Sequence, residues 1–433
     1  MRSVAFALLL VACGGGGGAE LDAGDPDSAD GPLQMGRVDV TVYTTDRTGA
    51  PEPDAVVVFY DPAGAIVSHA TTNTVGQAFG ILPDGGSVTV LREYVDPGSA
   101  FERLHMQLTQ RGVKPGDNLV VDIHRDEQRT GAMDSMVVSY TPFGTDDTAI
   151  VKPCSPGVRA VQSSQVFFYE DCTTPTFDLM LLSQGQNRQF IWMPDVPYAG
   201  GATVEVPDAW QPMGTLTTSF ENLPPGDTLV GVFVSTLVGP LEVEMNRGQF
   251  FVNPGASTVS HPWPTGAGRG AVVFATLNPP QSLEQHLFYA PGSPSNIAID
   301  FDALPLPRPG HPNQTATAMS WTETGAPSGD LRIARWDGEH TTADAHHRFF
   351  RIELSDPTVA VTTSTLLPLP DELADRDPLQ VPTANLLLKG ASVQYLDYDN
   401  FDHETARLSG QRLLDFNRGF LDGAQHVHWV ASP

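Results

Sequence analysis

Glycine and proline break this chain into short pieces. Together they supply 41 and 37 of its 433 residues, and they interrupt the apolar runs before most could reach helical length. Val38, Val40 and Val42 alternate with Asp39, Thr41 and Tyr43, the period of a strand with one wet face. Val56-Val57-Val58-Phe59-Tyr60 is apolar at every position, as in a strand buried on both faces. Between such runs lie turn clusters: Gly49-Ala50-Pro51, Asp61-Pro62-Ala63-Gly64 and Pro83-Asp84-Gly85-Gly86. Further strand-like runs fall at 137–140, 166–169, 229–234, 250–252 and 272–274. Alternating sets occur at Phe177/Leu179/Leu181, Leu241/Val243/Met245 and Phe350/Ile352/Leu354. Many short strands with frequent turns predict an all-β chain of sandwiches or barrels, without the crossover helices of an α/β enzyme.

The first module carries a family likeness. Gly49, Pro51, Ala55-Val56-Val57, Gly64, Thr72, Gly76-Gln77-Ala78 and Leu82-Pro83 precede Val88-Thr89-Val90. That pattern resembles carboxypeptidase-regulatory-like, or transthyretin-like, β-sandwich domains. The resemblance implies a spacer or binding module and transfers no catalytic residue. Residues 99–112 read two ways. Ser99-x-x-Glu102 is a capping box with Phe101, Leu104 and Leu108 on one helical face, whereas Leu104, Met106 and Leu108 alternate as a strand. The β neighbours favour the strand.

An echo follows, in which Val113-Lys-Pro-Gly-Asp-Asn-Leu119-Val120 matches Leu223-Pro-Pro-Gly-Asp-Thr-Leu229-Val230 and points to similar modules. The expectation is several Ig-like or prealbumin-like β-sandwich modules in tandem behind a disordered acidic tether. The modules are 36–125, 130–212, 213–310 and 316–433, with one larger β-assembly over 130–433 left open as an alternative. Residues 304–310 read as a proline-rich linker, and Asp371-Glu372-Leu373-Ala374 as one helical turn after Pro370.

At the N-terminus, Arg2 precedes an apolar run over 4–11 that is too short to span a bilayer of about 30 Å. It ends in Leu10-Val11-Ala12-Cys13, followed by five glycines. This resembles the lipobox of bacterial lipoproteins. The resemblance implies a signal peptide over 1–12, cleavage before Cys13 and acylation of its thiol. Gly14 after the cysteine implies, as in enteric lipoproteins, transfer to the outer membrane. Residues 13–35 then act as a tether, in which Glu20, Asp22, Asp25, Asp27 and Asp30 repel one another. With Cys13 spent on lipid, Cys154 and Cys172 are an even pair in an oxidising compartment and read as one disulfide.

The formal net charge of −27 argues against nucleic acid as a partner and against attraction to anionic lipid. The sequence contains no H-E-x-x-H, G-x-S-x-G or P-loop pattern, and Gly266-Ala-Gly-Arg-Gly270 reads as a turn. Asp397, Asp399 and Asp402 have a spacing at which carboxylates can converge on calcium. However, Phe401 and Asp402 stand where an EF-hand needs a ligand and its glycine, so a polar turn is the plainer reading. His340, His346 and His347 lie close in sequence. His426 and His428 would share a strand face, as zinc ligands can.

The reading is a membrane-anchored envelope lipoprotein with a structural or binding role, without catalysis or cofactor. Its expected partners are the membrane, through its lipid, and an envelope protein or glycan. The alternative is a metal-dependent hydrolase using the C-terminal histidines and acids.

Overall fold

In the computed structural model the described residues are 35–44, 51–95, 102–123, 133–143, 147–152, 164–169, 176–183, 188–223, 229–238, 241–244, 250–251, 258–266, 270–277, 283–292, 294–303, 306–325, 328–398 and 424–431. They are almost entirely β, as the alternation and turn chemistry predict. Cys13, Cys154, Cys172, Asp399 and Asp402 lie outside them, as does the tether except for Met35. No helix among the described residues is long and apolar enough to cross a membrane.

One sheet dominates. Its hydrogen-bonded order runs Leu241–Glu244, Leu229–Val238, Gly270–Leu277, Leu283–Pro291, Ala424–Ala431, Leu387–Tyr398, Leu331–Thr341, His346–Ser355, Glu102–Val113, Gly86–Val95, Val56–Tyr60 and Ile66–Thr71, with Phe250–Phe251 added beside Leu229–Val238. Pairing along this path is antiparallel except at one seam, where His346–Ser355 runs parallel to Glu102–Val113. Through that seam the 36–125 and 316–433 segments share a ladder. The ambiguous stretch 99–112 is therefore a strand from Glu102 onward. Its backbone groups are taken by neighbours on both sides, which outweighs a capping box that could satisfy only one helix end.

Smaller sheets cover the faces of this large one. Gln77–Pro83, Met35–Thr44 and Asn118–Ile123 form one of them, the last pair parallel. Val38, Val40, Leu82 and Leu119 from this sheet meet Val57, Phe59, Val90, Leu108, Ile333, Ile352 and Leu354 in a single core. At Gly76 the turn into Gln77–Pro83 has φ of 72°, and a Cβ there would strike the Val42 carbonyl, so both conformation and space select glycine.

A second core pairs Leu216, Phe220 and Trp263 with Val232, Val273 and Ala275. Strand Thr176–Ser183 serves two cores at once. Met180 and Leu182 enter this one, while Leu179 and Leu181 pack with Met136, Val138 and Ile191. The two turns of the sequence echo feed strands with different surroundings: Asn118–Ile123 lies beside Met35–Thr44, and Leu229–Val238 lies inside the large sheet.

The all-apolar run at Val56–Tyr60 is explained by a strap. Val57 and Phe59 face the first core, whereas Val58 and Tyr60 face Leu367, Leu369 and Leu373. The strap includes the 3-10 turn Asp371–Arg376, which begins after Pro370 as its sequence suggests. Buried polar groups hold it down. The Arg351 guanidinium donates to the Leu367 carbonyl and to Asp377 Oδ1, each at 2.8 Å. Asp377 has no exposed surface and also accepts from the Leu369 and Leu379 amides. Tyr60 Oη donates to the Pro368 carbonyl at 2.9 Å, and burial pushes that phenol up to about 12. The stretch read as a linker is fastened too: Arg308 donates from Nε and Nη2 to the buried carboxylate of Glu284.

Removing one member of a buried ion pair leaves the other charge uncompensated, at about 3–5 kcal/mol. Asp377→Ala should lower stability by about that amount, read as a fall in the urea midpoint. Joint replacement by Arg351→Leu and Asp377→Leu should recover part of the loss. Equal stability of Asp377→Ala and the wild type would contradict the clamp.

Candidate functional site at the strand seam

Period-two alternation sends the odd residues of Glu102–Val113 up to Arg111 to the strap face, and the parallel register sets His347 beside Arg103 and Phe349 beside His105. Antiparallel pairing of the next strand sets His340 opposite His347. Three imidazoles and one phenyl ring therefore form a rib. His105 stacks on His347 with centroids 5.1 Å apart and on Phe349 at 5.2 Å, and His340 lies 6.5 Å from His347. His105 Nε2 and His347 Nδ1 share a hydrogen bond of 2.8 Å. His340 Nδ1 donates to the Asn385 carbonyl at 3.1 Å, which fixes its tautomer.

His105 is only 2% exposed. Burial above all, then the His347 ring and the Arg376 charge, draws its pKa down to about 4. The His347 pKa is also lowered, chiefly by desolvation and then by Arg103. Around the rib, Glu93 takes an ion pair from Arg103 at 3.1 Å and from Arg376 at 3.2 Å. The rib is thus a run of stacked rings inside a frame of ion pairs, and desolvation disfavours the charged form of His105 and His347. It contributes aromatic packing and one hydrogen bond between two imidazoles.

His340 and His347 therefore come together, and His346 does not join them. Alternation turns it to the opposite face, where it lies 3.8 Å from Glu102 and 3.5 Å from Glu339, a carboxylate that also meets Lys389 at 2.8 Å. On that face burial pushes Asp337 up to about 7 and draws Arg335 down to about 9. His426 and His428 lie in Ala424–Ala431, in register with Asp397 and Tyr395 on one side and with Phe288 and His286 on the other. Among the described residues no group of three His, Cys, Asp or Glu is placed to hold a metal ion.

Two polar groups escaped sequence reasoning. His105 sits singly in an alternating run and acquires its partners only through the parallel seam. Glu284 and His286 carry a readable signal, since residues two apart in a strand share a face. Glu284 Oε1 and His286 Nε2 are 2.7 Å apart, both side chains buried, with Arg308 on the same carboxylate.

No family model matches the chain, and no curated protein matches it. Among solved structures it is similar to the TIE protein of Bacillus anthracis, at 12% identity and a TM-score of 0.16. That match covers 61% of this chain and 50% of that one, so the chain spans half the length of this neighbour. BcpA, the major pilin subunit of Bacillus cereus, gives 10% identity and 0.17 over 62% of this chain and 99% of that one. Two B repeat units of the collagen binding protein of Staphylococcus aureus give 8% and 0.15 over 86% and 97%. Likeness this loose carries no argument about what the chain does.

The rib makes stability depend on pH. From about 6.5 down to about 4 the unfolded chain binds a proton at residue 105 that the fold refuses, so stability rises with pH through this window and is lost as pH falls through it. His105→Phe keeps a stacking ring and removes the titration. Its melting temperature should fall less between pH 7 and pH 4.5 than that of the wild type, with His261, drawn to about 4 by burial, retaining its own share. Parallel curves for the two proteins would exclude the rib as a contributor.

Proposed function

We propose that the chain is a lipid-anchored protein of the bacterial cell envelope. Cys13 holds it in the outer membrane, and its β-modules serve a structural or binding role without catalysis of their own. The observation that carries this reading is Leu10-Val11-Ala12-Cys13 behind Arg2 and a short apolar run. Two further features support it. The folded part is built from sheets packed on sheets, which suits a rigid displayed body. Its strap-face histidines His105 and His347 are committed to stacking and hydrogen bonding within the protein. An envelope protein or a glycan is the partner class the reading implies. Cys154 and Cys172, exported with the chain, form a disulfide in this proposal.

Several acyl chains, at about 0.8 kcal/mol per buried CH₂, retain a protein on a membrane, whereas a single chain is marginal. In a bacterial host, Cys13→Ser should abolish incorporation of labelled fatty acid, leave the precursor uncleaved at this site and change its fractionation. Labelling and processing equal to wild type would sink the lipoprotein reading. Protein recovered from the envelope should resist alkylation at Cys154 and Cys172 until it is reduced. Free thiols at both positions would remove the disulfide.

A further inference from the structure

Residues 62–83 contain no Asp, Glu, Lys or Arg, in a chain that is 17% charged with a formal net charge of −27. Five of the eleven large apolar side chains exposed among the described residues fall in that stretch: Ile66, Val67, Val75, Phe79 and Ile81. A sixth, Met35, lies opposite Pro83 in the ladder. Phe79 and Ile81 are 58% and 55% exposed, on the outer side of a strand whose Ala78, Gly80 and Leu82 point inward. Gly80 has no room for a side chain, because a Cβ there would meet the Phe59 ring at 2.6 Å. The inward side of this strand is thus fitted closely to its core, while Phe79 and Ile81 on the outward side stay more than half exposed.

The two strands of the stretch are both sheet ends. Ile66–Thr71 terminates the large sheet, and Gln77–Pro83 terminates the sheet it forms with Met35–Thr44 and Asn118–Ile123. Natural edge strands are usually guarded by charge or proline, and these carry no charge and only the terminal Pro83.

We propose that this rim is a homotypic interface, in which Phe79, Gly80 and Ile81 of two copies pair antiparallel about Gly80, Gln77 keeping its amide and carbonyl on Asn73. Two copies bearing −27 each repel wherever acidic surfaces meet, whereas the 62–83 stretch opposes its own image without any formal charge. A two-fold pairing about Gly80 is isologous and sets Phe79 opposite Ile81 of the second copy, an aromatic and β-branched cross-strand pair. At Phe79 and Ile81 it also continues a ladder that ends at this strand among the described residues. Beside it, Arg37 lies over the Phe79 ring at 4.2 Å and pairs with Asp39, so each copy brings both signs to the border of the contact.

The test is sedimentation of the purified full-length chain over a concentration series, with Phe79→Asp/Ile81→Asp as the disrupting variant. Val359→Asp/Leu387→Asp is the control, because it charges exposed apolar residues elsewhere. The wild type and the control should dimerise with concentration, and the first variant should lose the dimer. Hydrogen exchange supplies a readout without any variant: the Phe79 and Ile81 amides should gain protection as concentration rises. A wild type monomeric throughout, a dimer indifferent to charge at 79 and 81, or protection of the 79 and 81 amides that appears only with added neutral phospholipid vesicles would each overturn the proposal.

Discussion

The parallel seam between Glu102–Val113 and His346–Ser355 is the contact on which the rest depends. Its partners are far apart in the chain, with His105 and His347 separated by 242 residues. On one side of it lie the strands of the first module, and on the other the ladder that runs through the C-terminal strands to Leu241–Glu244. Remove this pairing and the large sheet falls into two, the first core loses Ile333, Ile352 and Leu354, and the strap loses the surface it crosses. Contacts so distant in sequence pay their loop-closure entropy before they are rewarded, which makes them slow to form and dependent on both halves being present.

Much of the secondary structure was legible because strand periodicity is a local signal. Val38, Val40 and Val42 show their buried face without any knowledge of what covers it. Val56–Tyr60 announced burial on both faces, but not that the second cover comes from residues near 370. Pairing partners have no local signature: nothing near His105 indicates His347, and the helix-like spacing from Ser99 to Leu108 competes with the strand until the neighbours are known. The histidines clustered in sequence were half informative for the same reason, since alternation sends His346 and His347 to opposite faces.

Several buried or half-buried charged groups sit where one segment crosses another. Arg351 and Asp377 meet under the strap, Arg111 reaches Glu353 and the Thr365 carbonyl, and Glu284 receives Arg308 from a proline-rich stretch. Each satisfies backbone or charge that irregular crossing segments would otherwise leave bare. Apolar packing supplies the bulk of the attraction, and these contacts choose which crossing is made.

The first strand has a mechanical consequence. Met35–Thr44 is flanked on both sides, antiparallel to Gln77–Pro83 over seven registered pairs and parallel to Asn118–Ile123 over six. Its hydrogen bonds lie across the strand direction. Tension applied along the strand at Met35 therefore loads both ladders in shear, so that many bonds must yield together. A hairpin pulled apart from its open end would instead unzip one bond at a time. Forced unfolding is governed by the rate of crossing that barrier rather than by equilibrium stability. Met35–Thr44 is thus a strand that resists a pull along its own axis.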